Sequence, residues 1–211
     1  MKILNDATSP FGRKTVVAAM ERAIPVEEAF VDLNGTDLDR WNPLRQIPTL
    51  VLADGRAVYD SDAIVQFLDR QHNGPPLIPE KEAIAVLTRM SLANGLMETT
   101  LARLLETRRA SGGRSDELIA KMEARIWRVL DAMNANLGAL ISAADALRAD
   151  QITMAVALGY VDFRFSDAWH GKYPALGKWY AAIAGRRSMT LTAPTRTSPV
   201  PQGEIAKRVA R

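Results

Sequence analysis

A serine followed at once by a proline, Ser9-Pro10, stands where a short apolar segment gives way to a helical pattern. Serine is a favoured N-cap and proline is well tolerated at the first helical position, so the pair predicts a helix start. A hydroxyl in that place also faces free backbone N–H groups and the positive end of the helix dipole, where an anion such as a thiolate is stabilised. The pair alone fits a simple cap as well as an anion site.

A second pair, Ile47-Pro48, leads into the first strand of a β-hairpin. A central strand rarely starts with proline unless its peptide bond is special, and X–Pro is the bond for which the cis isomer is accessible. A cis bond would turn the backbone N–H and C=O of Ile47 outward, where they could pair with an extended ligand.

The third pair, Asp60-Ser61, opens the next helix. We expect Ser61 to cap this helix, with its hydroxyl and the free N–H groups holding a carboxylate, while Asp60 accepts from an ammonium group. A ligand that satisfies all three pairs has an extended amide backbone, an amino-acid end and a thiol.

The elements that position these pairs follow from the apolar pattern. Residues 1–78 read as strand, helix, extended segment, long loop, hairpin around Asp54-Gly55 and helix, which predicts a small α/β domain. After the linker "NGPPLIPE" the apolar period becomes helical from Lys81 onward, interrupted at "SGG", which predicts an all-α domain over residues 79–189. The segment "QITMAVALGYVDFRF" is apolar on all sides, as in a buried helix. Neither part would bury much core alone, so we expect them to pack tightly together. Residues 190–211 are expected to form a loosely held, proline-containing basic tail.

Composition excludes several classes of site. The 211 residues include no cysteine and two histidines, which excludes disulfides and thiolate metal ligands and argues against any metal site. No apolar run approaches the roughly 20 residues of a membrane-spanning helix, so we predict a cytoplasmic protein without a membrane partner. The net charge is +3, and its basic excess lies mainly from Arg186 onward, without a recognisable binding element. We therefore expect no nucleic-acid partner.

The segments "SPFGRKTVVAAM", "NPLRQIPTLVLADGRAVYDSDAIVQFLD" and "QITMAVALGYVDFRF…YPALGKWYAAI" resemble the glutathione S-transferase superfamily, most closely bacterial cytosolic members with a serine at the N-terminal helix start. The resemblance covers nearly the whole chain to about Met189. It implies an α/β thioredoxin-like N-terminal domain, an all-α helical-bundle C-terminal domain, a homodimer, and a glutathione site beside a variable apolar substrate site.

The resemblance also assigns roles to residues. It implies that the Ser9 hydroxyl contacts the glutathione sulfur, although the adjacent Thr8 could take that role. It implies that Ile47 and Pro48 bind the cysteinyl amide of glutathione, and that Asp60 and Ser61 bind the γ-glutamyl amino and carboxylate ends. Arg45 and Gln46 lie where some classes of the superfamily contact the glycyl carboxylate.

The predicted function is therefore a transferase that activates the glutathione thiol for conjugation to an apolar electrophile. Peroxide reduction or isomerisation would use the same thiolate, and the alternative is a non-catalytic binding or regulatory protein with the same fold. Arg13 and Lys14 could steer an anionic tripeptide, but a solvated helix face is the expected explanation for them. Four apolar side chains fit either the substrate site or the core: Phe11, Met97, Leu101 and Leu104.

Overall fold

The computed structural model describes residues 1–110, 112–141 and 146–194, together with the backbone of residues 207–209. Its strands are β1 (Lys2–Asn5), β2 (Glu27–Phe30), β3 (Thr49–Val51), β4 (Ala57–Tyr59) and β5 (Lys207–Val209). Its helices are α1 (Pro10–Glu21), α2 (Ser61–Asp69), α3 (Ala83–Thr107), α4 (Asp116–Ala135), α5 (Ala149–Arg164), α6 (Trp169–Lys172), α7 (Pro174–Ala184) and α8 (Arg187–Leu191). None of these helices is long and apolar enough to cross a membrane.

The strands form one mixed sheet in the order β4-β3-β1-β2-β5. β1 and β2 run parallel and are joined through α1, whereas β3 pairs antiparallel with both β1 and β4. The predicted hairpin turn is confirmed, with Gly55 at φ 83°, a left-handed conformation that glycine adopts without steric cost. The thioredoxin-like α/β domain followed by a helical region is confirmed.

The end of the chain differs from the sequence prediction. Residues 195–206, 210 and 211 of the predicted loose tail lie outside the described residues, but β5 belongs to the sheet and pairs antiparallel with β2. These three residues of the predicted tail are therefore paired with the edge of the sheet. An edge strand offers a row of unpaired backbone groups, and such pairing needs no apolar pattern that a sequence would show.

Helix α5 is the centre of the core. Its residues from Ala149 to Val161 are all buried, as its continuous apolar pattern predicts. It packs against α3 on one side and against α1 of the N-terminal domain on another, so one apolar cluster spans both parts of the chain. The expected tight packing of the two parts is confirmed.

The segment between the two parts is held at both sides. Asp69, at the end of α2, accepts hydrogen bonds from the backbone N–H groups of Leu77 and Ile78 at 2.5 and 3.1 Å. The carbonyl of Leu77 accepts from the N–H of Ala149, at the start of α5, at 2.8 Å. The Leu77 side chain itself is fully buried. The predicted linker is therefore part of the packed structure.

A buried ion pair joins α1, α2 and α3. The Lys14 side chain is 0% exposed, and its Nζ lies 2.5 Å from Asp62 Oδ1 and 2.9 Å from Asn94 Oδ1. Asn94 Nδ2 donates to the second oxygen of Asp62 at 2.7 Å, which closes a triangle. Burial lowers the pKa of Lys14, and Asp62 opposes that effect. The expectation that Lys14 lies on a solvated face is wrong, because α2 and α3 cover that side of α1.

A bidentate ion pair ties the end of α1 to α8. Arg186 donates to both carboxylate oxygens of Glu21 at 3.0 and 2.6 Å, and the Ser188 hydroxyl donates to Glu21 Oε1 at 2.5 Å. Burial of Glu21 raises its pKa, but the hydrogen bonds from Arg186 and Ser188 outweigh burial and hold the pKa below its ordinary value of 4.5. Arg186, counted with the basic tail in the sequence, belongs to the folded structure.

Replacing Asp62 by asparagine should lower the free energy of unfolding by about 3 kcal/mol, because it leaves the buried Lys14 ammonium without a counter-charge. Urea unfolding followed by circular dichroism measures the change. Asp54→Asn is the matched control, since Asp54 pairs with Arg56 in full solvent and its removal should leave stability unchanged. Equal midpoints for the two variants would contradict a structural role for the triangle.

Glu21→Gln should destabilise the protein in a pH-dependent way. A carboxylate whose folded pKa is depressed contributes stability above its unfolded pKa and loses that contribution as the pH falls through the folded value. We expect a difference from wild type of about 1–3 kcal/mol near neutral pH. The difference should shrink steadily below 4.5, the ordinary pKa of the group. Unfolding titrations of both proteins across this range test it, and a pH-independent difference would contradict it.

Candidate functional site

The sheet register brings the predicted site residues to one end of the sheet. Leu4 of β1 lies opposite Thr49 of β3, and Thr49 lies opposite Tyr59 of β4. Because β3 runs antiparallel to both neighbours, its start lies beside the ends of β1 and β4. The residues that follow β1, precede β3 and follow β4 are therefore neighbours: Ser9, Ile47, Pro48, Asp60 and Ser61.

Ser9 is the N-cap of α1, as predicted. Its Oγ accepts a hydrogen bond from the N–H of Gly12 at 3.2 Å, and among the described residues none accepts the Ser9 hydroxyl proton. Thr8 differs, because its hydroxyl donates to Asp6 Oδ1 at 2.7 Å. Of the two adjacent hydroxyls, only that of Ser9 keeps a proton free to donate to an incoming anion.

Gly12 sets how closely α1 approaches the sheet. A Cβ on Gly12 would lie 1.5 Å from Oδ1 of Asn5, the buried last residue of β1. Asn5 is fixed in turn by donating through Nδ2 to Glu28 of β2 at 2.8 Å. The first turn of α1 therefore lies directly on the end of β1, which fixes the position of Ser9.

The Ile47-Pro48 peptide bond is cis, which is the isomer considered for this strand entrance in the sequence analysis. In the part of the chain that the structure describes, nothing bonds to the main-chain N–H or C=O of Ile47. Asn42, buried at 1% exposure, fixes the preceding loop by donating through Nδ2 to the Gln46 carbonyl at 2.9 Å and to Thr49 Oγ1 at 3.1 Å. Sequence reasoning missed Asn42, because an Asn before Pro reads as an ordinary loop residue.

Arg45 and Gln46 are exposed and are less closely joined to this group. The Arg45 guanidinium lies 2.7 Å from Asp39 Oδ1 and also donates to the Gly35 carbonyl, so its contacts lie within its own loop. Its backbone is in the left-handed region at φ 52°. The structure does not bring the Arg45 side chain to the other predicted residues.

The start of α2 corrects one sequence prediction. The N-cap is Asp60, at φ 71°, and its Oδ1 accepts from the N–H groups of Asp62 and Ala63 at 2.8 and 3.1 Å. Ser61 is the first residue of the helix and does not cap it. The short aspartate side chain reaches the N2 and N3 amides from the N-cap, so the serine is not needed there. No described residue bonds to the Ser61 N–H, the Ser61 hydroxyl or Asp60 Oδ2.

A small cavity opens beside Ser9, between α1 and α5. It is lined by Ala7, Thr8, Ser9, Pro10, Arg13, Val156, Tyr160 and Pro194. Burial raises the pKa of Tyr160, which therefore stays a neutral phenol. Sequence reasoning missed Val156 and Tyr160, because a helix that is apolar on all sides has no face that points to a site. The four apolar candidates from the sequence do not line this cavity, and Met97 is fully buried in the core.

Arg13 is the second cationic residue of α1 that the sequence analysis expected on a solvated helix face. Its Nη2 donates to the Met189 carbonyl at 2.9 Å and its Nε to Thr192 Oγ1 at 3.3 Å. Burial lowers the pKa of Arg13. The expectation is wrong because α8 covers this side of α1, and that contact joins residues far apart in the sequence.

Two further observations concern the described residues outside this site. Within residues 1–110, 112–141 and 146–194, no group of three or more histidine, aspartate or glutamate side chains could hold a metal ion. A larger cavity of about 730 Å³ lies between α3 and α4, and none of the predicted site residues lines it.

Comparison with known proteins agrees with this geometry. Residues 8–71 match the family model described as the N-terminal domain of glutathione S-transferase. The uncharacterized GST-like protein YibF of Escherichia coli K12 is 28% identical over 93% of this chain and 100% of its own length. A glutathione transferase family member from Pseudomonas fluorescens Pf-5, solved with bound glutathione, is 32% identical with a TM-score of 0.86, covering 92% of this chain and 98% of its own.

A glutathione S-transferase from Methylobacillus flagellatus KT, also solved with glutathione bound, is 34% identical with a TM-score of 0.86 and covers 92% of this chain and 99% of its own. The likeness therefore extends well beyond the N-terminal residues that the family model matches. Since identity above 30% runs through nearly the full length of both solved relatives, the chain belongs to the glutathione S-transferase superfamily.

Proposed function

We propose that the protein is a glutathione transferase that holds glutathione at the end of the sheet and activates its thiol for attack on an apolar electrophile. The observation that carries the proposal is the set of unused polar groups gathered there. These are the Ser9 hydroxyl proton, the Ile47 peptide, and the N–H and hydroxyl of Ser61. The two solved relatives with bound glutathione support the choice of ligand.

Each part of glutathione has a complementary group. The free N–H and C=O of Ile47, next to cis-Pro48, pair with the cysteinyl amide as a further strand would. The Ser61 N–H and hydroxyl bind the γ-glutamyl carboxylate at the start of α2, where the helix dipole favours an anion. The free Oδ2 of Asp60 accepts from the γ-glutamyl ammonium. Gln46 is the remaining candidate for the glycyl carboxylate, and Arg45 joins it only by leaving Asp39.

The thiol then lies at the start of α1. A free thiol has a pKa near 8.5 and only its thiolate attacks, so catalysis near neutral pH requires the pKa to fall. The Gly12 N–H fixes the Ser9 oxygen, and the Ser9 proton is donated to the sulfur. Each unit by which the thiol pKa falls corresponds to about 1.4 kcal/mol of preference for the charged form. The thiol proton passes to solvent, and the sulfur forms a bond to the electrophilic carbon while the leaving group departs.

The cavity beside Ser9, about 10 Å³ in volume, is too small to hold a second substrate, which therefore approaches the thiolate from outside it. A detoxifying conjugation, glutathione-dependent peroxide reduction and isomerisation would all use the same thiolate. The second candidate function, a non-catalytic binding protein of the same fold, would have no use for a free Ser9 proton. Fold alone does not choose between these functions.

The remaining proposals follow the sequence analysis. We propose residues 1–78 as the glutathione-binding domain, residues 79–189 as the helical domain and residues 190–211 as a basic C-terminal tail that returns to the sheet through β5. We also propose that the protein forms a homodimer and that it belongs to the members of the superfamily with a serine at the N-terminal helix start. The cytoplasmic location and the absence of a nucleic-acid partner stay predictions.

Ser9→Ala should bind glutathione within a few-fold of wild type but should raise the pKa of the bound thiol, because the hydroxyl donor to the sulfur is gone. Calorimetric titration gives the affinity, and the ultraviolet absorbance of the thiolate gives the pKa. Thr8→Val is the matched control, since the Thr8 hydroxyl already donates to Asp6. An unchanged thiol pKa in Ser9→Ala would remove Ser9 from the mechanism. A raised thiol pKa in Thr8→Val would instead identify Thr8 as the donor to the sulfur.

Asp60→Asn should weaken glutathione binding about tenfold, which is the loss expected from one charge-assisted hydrogen bond. Asparagine is an equally good N-cap, so α2 should keep its start. A glutathione analogue without the γ-glutamyl amino group provides the control ligand. It should bind wild type and variant alike, and an equal loss for both ligands would show that Asp60 acts on the helix and not on the ammonium.

A further inference from the structure

Arg13 lies directly behind Ser9. The Arg13 N–H donates to the Ser9 carbonyl at 3.0 Å, which places the two residues one helical turn apart. Residues four apart on a helix point to the same face, and both side chains line the same small cavity. Ser9 contributes a hydroxyl to that cavity and Arg13 a permanent positive charge.

The Arg13 charge has no counter-charge in the structure. Its hydrogen bonds run to a carbonyl and a hydroxyl, those of Met189 and Thr192, and no carboxylate within the described residues pairs with it. The Arg13 side chain is half-buried. Because removing a charge from water without compensation is costly, a half-buried cation without a carboxylate partner at the wall of a cavity is suited to an anion that enters from outside.

The Arg13 guanidinium also packs against α5, beside the cavity. A Cβ on Gly159 would lie 3.2 Å from Arg13 Nη1 and 2.8 Å from the Tyr180 hydroxyl. The absence of a side chain at Gly159 lets Arg13 lie against α5 beside Tyr160, which lines the cavity. The charge is thus held in place by α1, α5 and α8 together.

The titratable groups around Arg13 are neutral or have other partners. Asp6, which acts on Tyr160, accepts hydrogen bonds from the Thr8 N–H and hydroxyl at 2.8 and 2.7 Å. Burial raises the pKa of both Tyr160 of α5 and Tyr180 of α7, so both remain neutral phenols. Asp162 of α5, which acts on Tyr180, is occupied by Trp169 Nε1 at 2.6 Å and by His170 Nε2 at 3.1 Å.

We propose that Arg13 supplies the counter-charge for the glutathione thiolate held at Ser9. This inference rests on the proposed function. Arg13 acts through its electric field and need not touch the sulfur, whereas Ser9 donates the hydrogen bond. An opposite charge within about 4–6 Å lowers the pKa of an acid by about 1–3 units, and the low dielectric of a buried site strengthens the effect. The two contributions are separable, because one is a hydrogen bond and the other a charge.

The test compares the bound-thiol pKa, from thiolate absorbance, in wild type, Arg13→Gln and Arg13→Lys. Arg13→Gln should raise the pKa by about one unit or more, and Arg13→Lys should restore most of the wild-type value because it keeps the charge. Arg22→Gln is the matched control. Arg22 follows α1 at its other end and also donates to a carbonyl, that of Leu147 at 2.6 Å, but it does not line the cavity. It should leave the thiol pKa unchanged.

Gly159→Ala keeps the experiment decisive if Arg13→Gln does not fold. Alanine favours the helix, and its methyl group would lie 2.8 Å from the Tyr180 hydroxyl and 3.2 Å from Arg13 Nη1. Both side chains must then give way, and the guanidinium moves without being removed, so the thiol pKa should rise by a smaller amount. An unchanged thiol pKa in a folded, glutathione-binding Arg13→Gln or Gly159→Ala protein overturns the inference while leaving the proposed function intact. Failure of the wild type to bind millimolar glutathione overturns both.

Discussion

A lysine enclosed by protein must find its counter-charge inside the protein, and Lys14 finds it in Asp62 with Asn94 as the third member. These residues belong to α1, α2 and α3, so the ion pair fixes three helices with respect to one another. α1 begins beside Ser9 and α2 beside Asp60, which means that the same contact sets the spacing between the two helix starts. A ligand that spans both starts depends on a charge pair that it never touches.

At the candidate site, several polar groups of the described residues have no hydrogen-bond partner within the protein. Helix starts and strand entrances normally satisfy their backbone groups with caps and neighbouring strands. Here Asp60 caps two amides of α2 and leaves that of Ser61, and cis-Pro48 follows a peptide with no strand partner. The surrounding groups, such as Asn42 and Thr8, are fully engaged. The contrast marks which atoms are free for a ligand.

Features that depend on neighbouring residues could be predicted from the sequence. The hairpin at Gly55 and the cap at Ser9 each follow from the local preference of one residue type, and the proline at position 48 makes the cis bond before it accessible. The division into a sheet domain and a helical region follows from a change in the apolar period. The choice of Ser61 as cap failed because Asp60 and Ser61 have nearly equal cap preferences, and only the backbone conformation decides between them.

Features that depend on distant contacts could not be predicted. Arg13 and Lys14 are ordinary polar residues of a helix until α8, α2 and α3 cover them, and nothing near them in the sequence indicates that burial. Tyr160 is hidden in a uniformly apolar helix, and the pairing of β5 with β2 joins opposite ends of the chain. In each case the missing information is which element lies on which, since local patterns do not specify it.

The hydrogen bonds on both sides of Leu77, here called the Leu77 clamp, bear on how parts of this protein can be exchanged with those of a relative. Asp69 holds the backbone on one side of Leu77 and Ala149 holds it on the other, with the Leu77 side chain in the common core. The join between the two parts is thus a shared structural element rather than a tether. A chimera that exchanges the second part for that of a relative must import the whole clamp as one unit, and a crossover placed within it would separate bonded partners. The two parts are distinct in architecture, yet they are not interchangeable modules.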